Sequence, residues 1–343
     1  MNNSFETDVV IIGAGPVGLF AVFELGMLKI KCHVVDTLEY IGGQCTALYP
    51  EKPIYDIAGH PKIEAAELIK QLEKQSAPFN PVYHLDQRVE KITTEHRTPN
   101  TEHFLVETSK GTKIECRAIL IAAGCGAFGP NRPPISSLEE YEKSKAVRYM
   151  VQSKEDFRGK KVVIAGGGDS AIDWTISLAD IAEHIYLVHR RPKFRASPET
   201  VDQVHKLAES GKVEMVIPYQ LEGLKGKNGH LDSVIVKDLD DKIKNLPADY
   251  LLPFYGLSME LGPIANWGLN TDTHHIIVDQ STCQTSTPGI YAIGDINNYP
   301  GKLKLIVCGF SEAAMAAHSI RKYLRPEEVF HFEYSTSKGI GHS

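Results

Sequence analysis

The sequence has no paired-thiol motif. Its six cysteines, Cys32, Cys45, Cys116, Cys125, Cys283 and Cys308, form no Cys-x-x-Cys and fall at neither disulfide-framework nor zinc-site spacings. That excludes a stapled fold and leaves free thiols acting as small apolar groups. No apolar run approaches the ~20 residues that span a bilayer, so no membrane segment is expected. The net charge of −6 lacks the basic footprint of a nucleic-acid binder. No metal motif is present: the 14 histidines are scattered, and the adjacent His274 and His275 point to opposite faces if they lie on a strand. Residues 1–8 are polar and acidic, unlike a secretory or transit peptide, and a cytoplasmic location is expected.

Glycine, by contrast, is placed with purpose. Residues 8–18 read DVVIIGAGPVG and residues 161–171 read KVVIAGGGDSA. One G-x-G-x-x-G is weak, but two, each following a β-branched strand and opening a helix, point to two dinucleotide sites. In the first, Gly13 permits the tight turn, Gly15 lets a pyrophosphate approach the backbone, Pro16 is expected among the nucleotide contacts beside it, and Gly18 lets the helix pack against the strand. The helix N-terminus offers free N–H groups to phosphate. Asp36 ends the next strand, where an acid hydrogen-bonds ribose hydroxyls. In the second, Gly166 and Gly168 repeat this logic, Ala171 takes the third position, and Asp169 and Ser170 are expected among the nucleotide contacts. The following strand ends in His189-Arg190-Arg191, with Arg195 beyond, and carries no acid. Planar cationic donors suit a 2′-phosphate, so this site is expected to take NADPH.

The remaining pattern alternates strands and helices, which predicts an α/β fold with parallel sheets. Strands are expected at 9–12, 32–35, 118–122, 161–165, 185–189 and 249–254, with hairpins at 104–116 and 231–247. Helices are expected at 17–28, 63–75, 170–182 and 311–324, with a tail over 325–343. The layout reads as two Rossmann-like three-layer dinucleotide-binding domains, one inserted into the other. The outer domain spans 1–122 and 251–343, the inserted one 123–250, with hinges near Gly124 and Gly256.

Residues 287–296, TPGIYAIGDI, deliver Gly294 and Asp295 at a strand end. With both fingerprints in this order, the chain resembles the thioredoxin-reductase-like flavoproteins. The resemblance implies FAD at the first fingerprint and at Asp295, and NADPH at the second. Residues 149–159, YMVQSKEDFRG, lack the dithiol of thioredoxin reductases, and Pro50 stands where glutathione-type reductases carry a second cysteine after the one matching Cys45.

Residues 42–59 (GGQCTALYPEKPIYDIAG), 302–313 (KLKLIVCGFSEA) and 334–337 (YSTS) resemble the thioredoxin-reductase-like ferredoxin–NADP reductases. That resemblance implies an FAD- and NADPH-dependent homodimer exchanging electrons with ferredoxin or flavodoxin. It also implies flavin contacts from Gln44, Tyr49, Phe128, Tyr334 and Thr336, with Tyr49 and Tyr334 stacked on opposite ring faces. Direct hydride transfer needs no general acid or base. A disulfide-free NADPH flavoenzyme reducing a quinone or small acceptor, and an inactive flavin- and NADPH-binding sensor, stay open as alternatives. Asp173 and Glu312 are expected to be helix-surface or cap residues, and Lys302 and Lys304 to offer a basic patch to an acidic carrier.

Overall fold

The computed structural model describes residues 3–98 and 101–328. The chain divides into two compact units, Met1–Ala47 with Pro53–Ala127 and Met259–Ser343, and Leu48–Lys52 with Phe128–Ser258. These compact units stand beside the domains expected from sequence. The units break at 127/128 and 258/259 rather than at 122/123 and 250/251, and the short segment Leu48–Lys52 packs with the second unit. Strands Ala127–Pro130 and Leu257–Glu260, where the chain passes between units, pair with each other.

The first unit is built on a five-stranded parallel sheet, ordered Ile290–Ala292, Ala118–Ile121, Val9–Ile12, Cys32–Val35, Val82–His84. A parallel strand covered on both faces must be apolar on both. Val9–Ile12 and Ala118–Ile121 accordingly read VVII and AILI and are buried throughout. Val9 and Ile11 pack with the helices Pro16–Met27 and Ile306–Leu324, whereas Val10 and Ile12 pack with Phe104, Val106 and Ile114 of a second, four-stranded sheet. Helix layer, parallel sheet and outer sheet make three layers. The last helix begins at Ile306, five residues before the start expected at 311. Gly309 therefore lies inside the helix, where a Cβ would sit 2.4 Å from Cγ2 of Val17; it serves close helix packing rather than a helix start.

The second unit repeats the plan. Four parallel strands run in the order Val213–Val216, His184–Val188, Lys161–Ala165, Tyr250–Pro253. Val162 and Ile164 face Ile172, Trp174 and Leu178 of the helix Asp169–Leu178. Val163 and Ala165 face Leu231, Val234, Val236 and Leu246 of a three-stranded antiparallel sheet.

Candidate functional site

In the first unit the glycine-rich turn leaves the end of Val9–Ile12 and enters Pro16–Met27. Gly13 has φ +111°, and a Cβ there would lie 2.4 Å from the carbonyl oxygen of Ala122. At Gly18 a Cβ would lie 2.0 Å from the carbonyl oxygen of Gly13. Those two glycines are required by the protein's own packing. Gly15 is not: it caps the helix with ordinary extended backbone (φ −70°, ψ −179°), and a Cβ there would meet nothing within 4 Å. Open space over a helix N-terminus is what a pyrophosphate needs.

Asp36 is 9 % exposed at the end of the adjacent strand. Its Oδ2 accepts from Ala14 N at 2.6 Å and its Oδ1 from Leu38 N at 2.8 Å. Burial raises its carboxyl above the usual range, against those backbone donors. With Thr37 N as a further donor, the carboxylate still keeps acceptor capacity for a ribose hydroxyl. The Gly-Gly turn before Gln44 lies against the same loop: Gly42 N donates to Ala14 O at 2.8 Å, and a Cβ on Gly43 would be 3.0 Å from Cα of Gly15. Gln44 in turn bonds the thiol of Cys125, which burial pushes up, making it a poor nucleophile. Sequence reasoning missed Cys125 as part of this site; its flanking glycines, Gly124 and Gly126, at a strand end were the signal.

Gly294 and Asp295 join the same end of the sheet. A Cβ on Gly294 would be 3.6 Å from both methyl groups of Val17, in the first turn of the fingerprint helix. The Gly294–Ile296 turn is pinned by Glu312, which corrects the expectation of a helix-surface or cap residue. Glu312 is 1 % exposed. Its Oε2 accepts from Gly294 N at 2.7 Å and Asn297 Nδ2 at 3.1 Å, and its Oε1 from Tyr299 OH at 2.7 Å and from Lys302 Nζ. Lys302 is correspondingly buried, its side chain 3 % exposed, and cannot belong to a surface patch. Burial raises the half-buried Asp295 carboxyl, while Lys302 and Lys304 draw it down.

In the second unit Gly166 lies where a Cβ would be 2.7 Å from Phe254 O, and Gly168 again caps a helix with nothing within 4 Å of its Cβ position. Gly167 is reserved for His189, whose ring atoms would lie 2.1 to 2.5 Å from a Cβ there. That ring stacks on Phe194 at 5.1 Å and contacts Lys193 O through Nε2 at 3.3 Å. Burial, then the neighbouring arginines, lower its pKa. Arg195 N donates to Gly167 O at 2.7 Å. The loop is thus braced on the glycine turn, with Arg190, Arg191 and Arg195 exposed. Among the described residues, none of these guanidinium groups has a carboxylate partner. Asp169 accepts from Ser197 N at 3.0 Å, and Ser170 is exposed. Asp173, expected on a solvated surface, is instead half-buried and paired with Lys52 at 2.8 Å.

Residues 7–316 match the family model for pyridine nucleotide-disulphide oxidoreductases. The chain belongs to the pyridine nucleotide-disulphide oxidoreductase family. Within it, a relative from Paramagnetospirillum magneticum named ferredoxin–NADP reductase is 57% identical over 335 residues, 98% of each chain. A protein of the same name from Rickettsia conorii is 57% identical over 98% of this chain and 97% of its own. Solved thioredoxin reductases from Lactococcus lactis and T. acidophilum each share 23% identity with a TM-score of 0.79. They cover 93% and 92% of this chain and 99% and 98% of their own. The fold is therefore thioredoxin-reductase-like, with two Rossmann-like units.

The first unit of this family member brings together Gly13, Gly15, Pro16, Gly18, Asp36, Gln44 and Asp295, and the second brings together Gly166, Gly168, Asp169, Ser170, Ala171 and the three arginines. Tyr49 sits with the second unit, against the cluster around Phe157 and Trp174, with Lys52 Nζ 5.6 Å from its ring centre. Phe128 lies in the strand Ala127–Pro130. Tyr334 and Thr336 lie outside the described residues. Among the described residues no disulfide forms, and four of the six cysteines, Cys32, Cys45, Cys116 and Cys283, are buried. Among the described residues no cluster of three or more metal-ligating side chains occurs, and no helix is long and apolar enough to cross a membrane.

Proposed function

We propose that this chain is an FAD-dependent ferredoxin (or flavodoxin)–NADP reductase, a cytoplasmic homodimer that exchanges a hydride between NADPH and FAD and single electrons with a protein carrier. The observation that carries this reading is the pairing of two open helix-capping glycines, Gly15 and Gly168, with a sequence that holds no Cys-x-x-Cys dithiol. The relatives' shared name supports the choice of carrier.

When bound, FAD supplies the chemistry that links a two-electron donor to a one-electron acceptor. The protein's part is to hold and orient. Gly15 and the first turn of the helix after Pro16 offer backbone donors to a pyrophosphate, Asp36 accepts from ribose, and Gln44 and Asp295 converge on the same cradle. In the second unit Gly168 and the helix from Asp169 serve the NADPH pyrophosphate, and Arg190, Arg191 and Arg195 the 2′-phosphate. Tyr49, Phe128, Tyr334 and Thr336 join the proposed flavin contacts on the family resemblance alone.

The test separates this reading from a dithiol mechanism. Cys45→Ser should keep NADPH-dependent ferricyanide reduction within a few-fold of the parent, and the parent should not reduce thioredoxin. Robust thioredoxin reduction, or a long-wavelength charge-transfer band lost in the variant, would contradict it.

A further inference from the structure

Lys304 is exposed, yet its ammonium is built into a chain of three side chains. Its Nζ lies 2.6 Å from Nε2 of His275 and 3.9 Å from Sδ of Met259. On the far side of the ring, Nδ1 of His275 lies 3.1 Å from Oδ1 of Asp272. An ammonium can only donate. Nε2 of His275 therefore accepts, so the ring carries its proton on Nδ1 and donates it to Asp272.

The carboxylate at the end of this chain is well prepared. Oδ1 also accepts from the backbone N–H groups of His274 at 3.2 Å and His275 at 2.9 Å, and Oδ2 accepts from Nδ2 of Asn298 at 2.7 Å. Burial opposes ionisation there, and these donors outweigh it, holding the carboxyl down to about 2. A charged carboxylate, a neutral imidazole of fixed tautomer and an ammonium thus form one array.

The array ends at the cradle already described. Lys304 stands just before the helix Ile306–Leu324, and its charge acts on both Asp295 and Cys125, the residues that meet Gln44 and the Gly294 turn there. Lys302, two residues earlier, is already paired with Glu312 in the interior. Among the described residues Lys304 has no carboxylate partner; its side-chain contacts are His275 and Met259.

We propose that Lys304 is a positioned cation of the FAD site, held by His275 and Asp272 as positioning residues, and that it favours the reduced cofactor over the oxidised one. The proposal rests on the FAD reading given above. Reduction adds negative charge to the ligand, and a fixed charge in a partly desolvated site interacts more strongly with the form that carries it. A lysine free to swing into solvent would discriminate less, which gives the imidazole and carboxylate their role.

The experiment uses the full chain freed of flavin, titrated with FAD by flavin fluorescence, and the midpoint potential of the reloaded protein measured by dye equilibration. Lys304→Met should lower the ratio of reduced to oxidised affinity about tenfold, a fall in midpoint of about 30 mV for a two-electron couple. Lys304→Arg should stay near the parent. Asp272→Asn frees the imidazole to carry its proton on Nε2, aiming an N–H at the ammonium, and should shift the midpoint in the same direction by a smaller amount. Midpoints unchanged in both Lys304→Met and Asp272→Asn would overturn the inference while leaving the FAD reading intact. A parent protein that takes up no FAD would overturn both.

Discussion

At Gly15 and Gly168 a side chain would meet open space, whereas at Gly13 and Gly18 it would strike backbone. The motif gives these glycines different roles, and the structure separates those the protein's packing needs from those that leave room for a ligand. Gly15→Ala should therefore fold with a stability change below about 1 kcal/mol, because only a capping preference is altered, and should weaken FAD binding at least tenfold. Gly18→Ala should do the reverse and cost roughly 1–3 kcal/mol by overpacking. Denaturant unfolding beside FAD titration checks both, and Gly15→Ala binding FAD like the parent would contradict the assignment. The arginines make a second test at this scale. A hydrogen bond to a charged group is worth about 1.5–3 kcal/mol. Arg190→Ala with Arg191→Ala should accordingly raise the NADPH KM on the order of tenfold or more and leave the NADH KM nearly unchanged. Equal effects on the two nucleotides would count against a 2′-phosphate site.

Residue-scale errors in the sequence reading share one cause. Lys302 and Glu312 read as surface charges because charged side chains are rarely buried unless paired, and the pairing follows only when the Gly294–Lys302 segment folds back onto the last helix. His275 and Lys304 are 29 positions apart, and their alignment was equally invisible. Gly167 and His189 are likewise far apart in sequence, and only the folded loop sets the ring over that glycine.

At the scale of elements, the two parallel sheets were legible because strands buried on both faces leave continuous apolar runs, as in Val9–Ile12 and Lys161–Ala165. Element ends were less so: the last helix, expected from 311, begins at Ile306 and takes in Gly309, which contacts Val17. One strand pairing has a consequence for stability. His33 on Cys32–Val35 and His84 on Val82–His84 place Nδ1 and Nε2 3.0 Å apart, with Phe5 edge-on to both rings. One ring must donate and the other accept, so the two cannot both be protonated. Burial, and then the neighbouring ring, lower His33 from 6.5 to about 4, and burial lowers His84. The unfolded chain takes up protons that the folded pair resists. Their contribution to stability is full above about pH 6.5 and is lost as pH falls through about 4. Urea midpoints measured from pH 7.5 to 4.5 should fall, and His33→Gln with His84→Gln should flatten that slope. An unchanged slope in the double variant would show that other groups set the acid sensitivity.

For the whole molecule, the sequence pattern revealed two nucleotide-binding units in the right order, since each carries its own fingerprint on its own parallel sheet. It did not reveal that Leu48–Lys52 belongs with the second unit. That follows from Lys52 meeting Asp173 and from Glu51 accepting Lys154 N at 2.8 Å, which are contacts between segments far apart in the chain. Two cradles and no thiol pair lead to the central claim, that electrons pass from NADPH through a flavin directly to a protein carrier. The most direct test is cytochrome c reduction by the flavin-loaded protein with NADPH, with and without added ferredoxin. The account predicts turnover that rises with ferredoxin concentration to saturation and stays near background without it. Equal rates with and without ferredoxin, or no turnover in either case from a protein that binds both nucleotides, would contradict it.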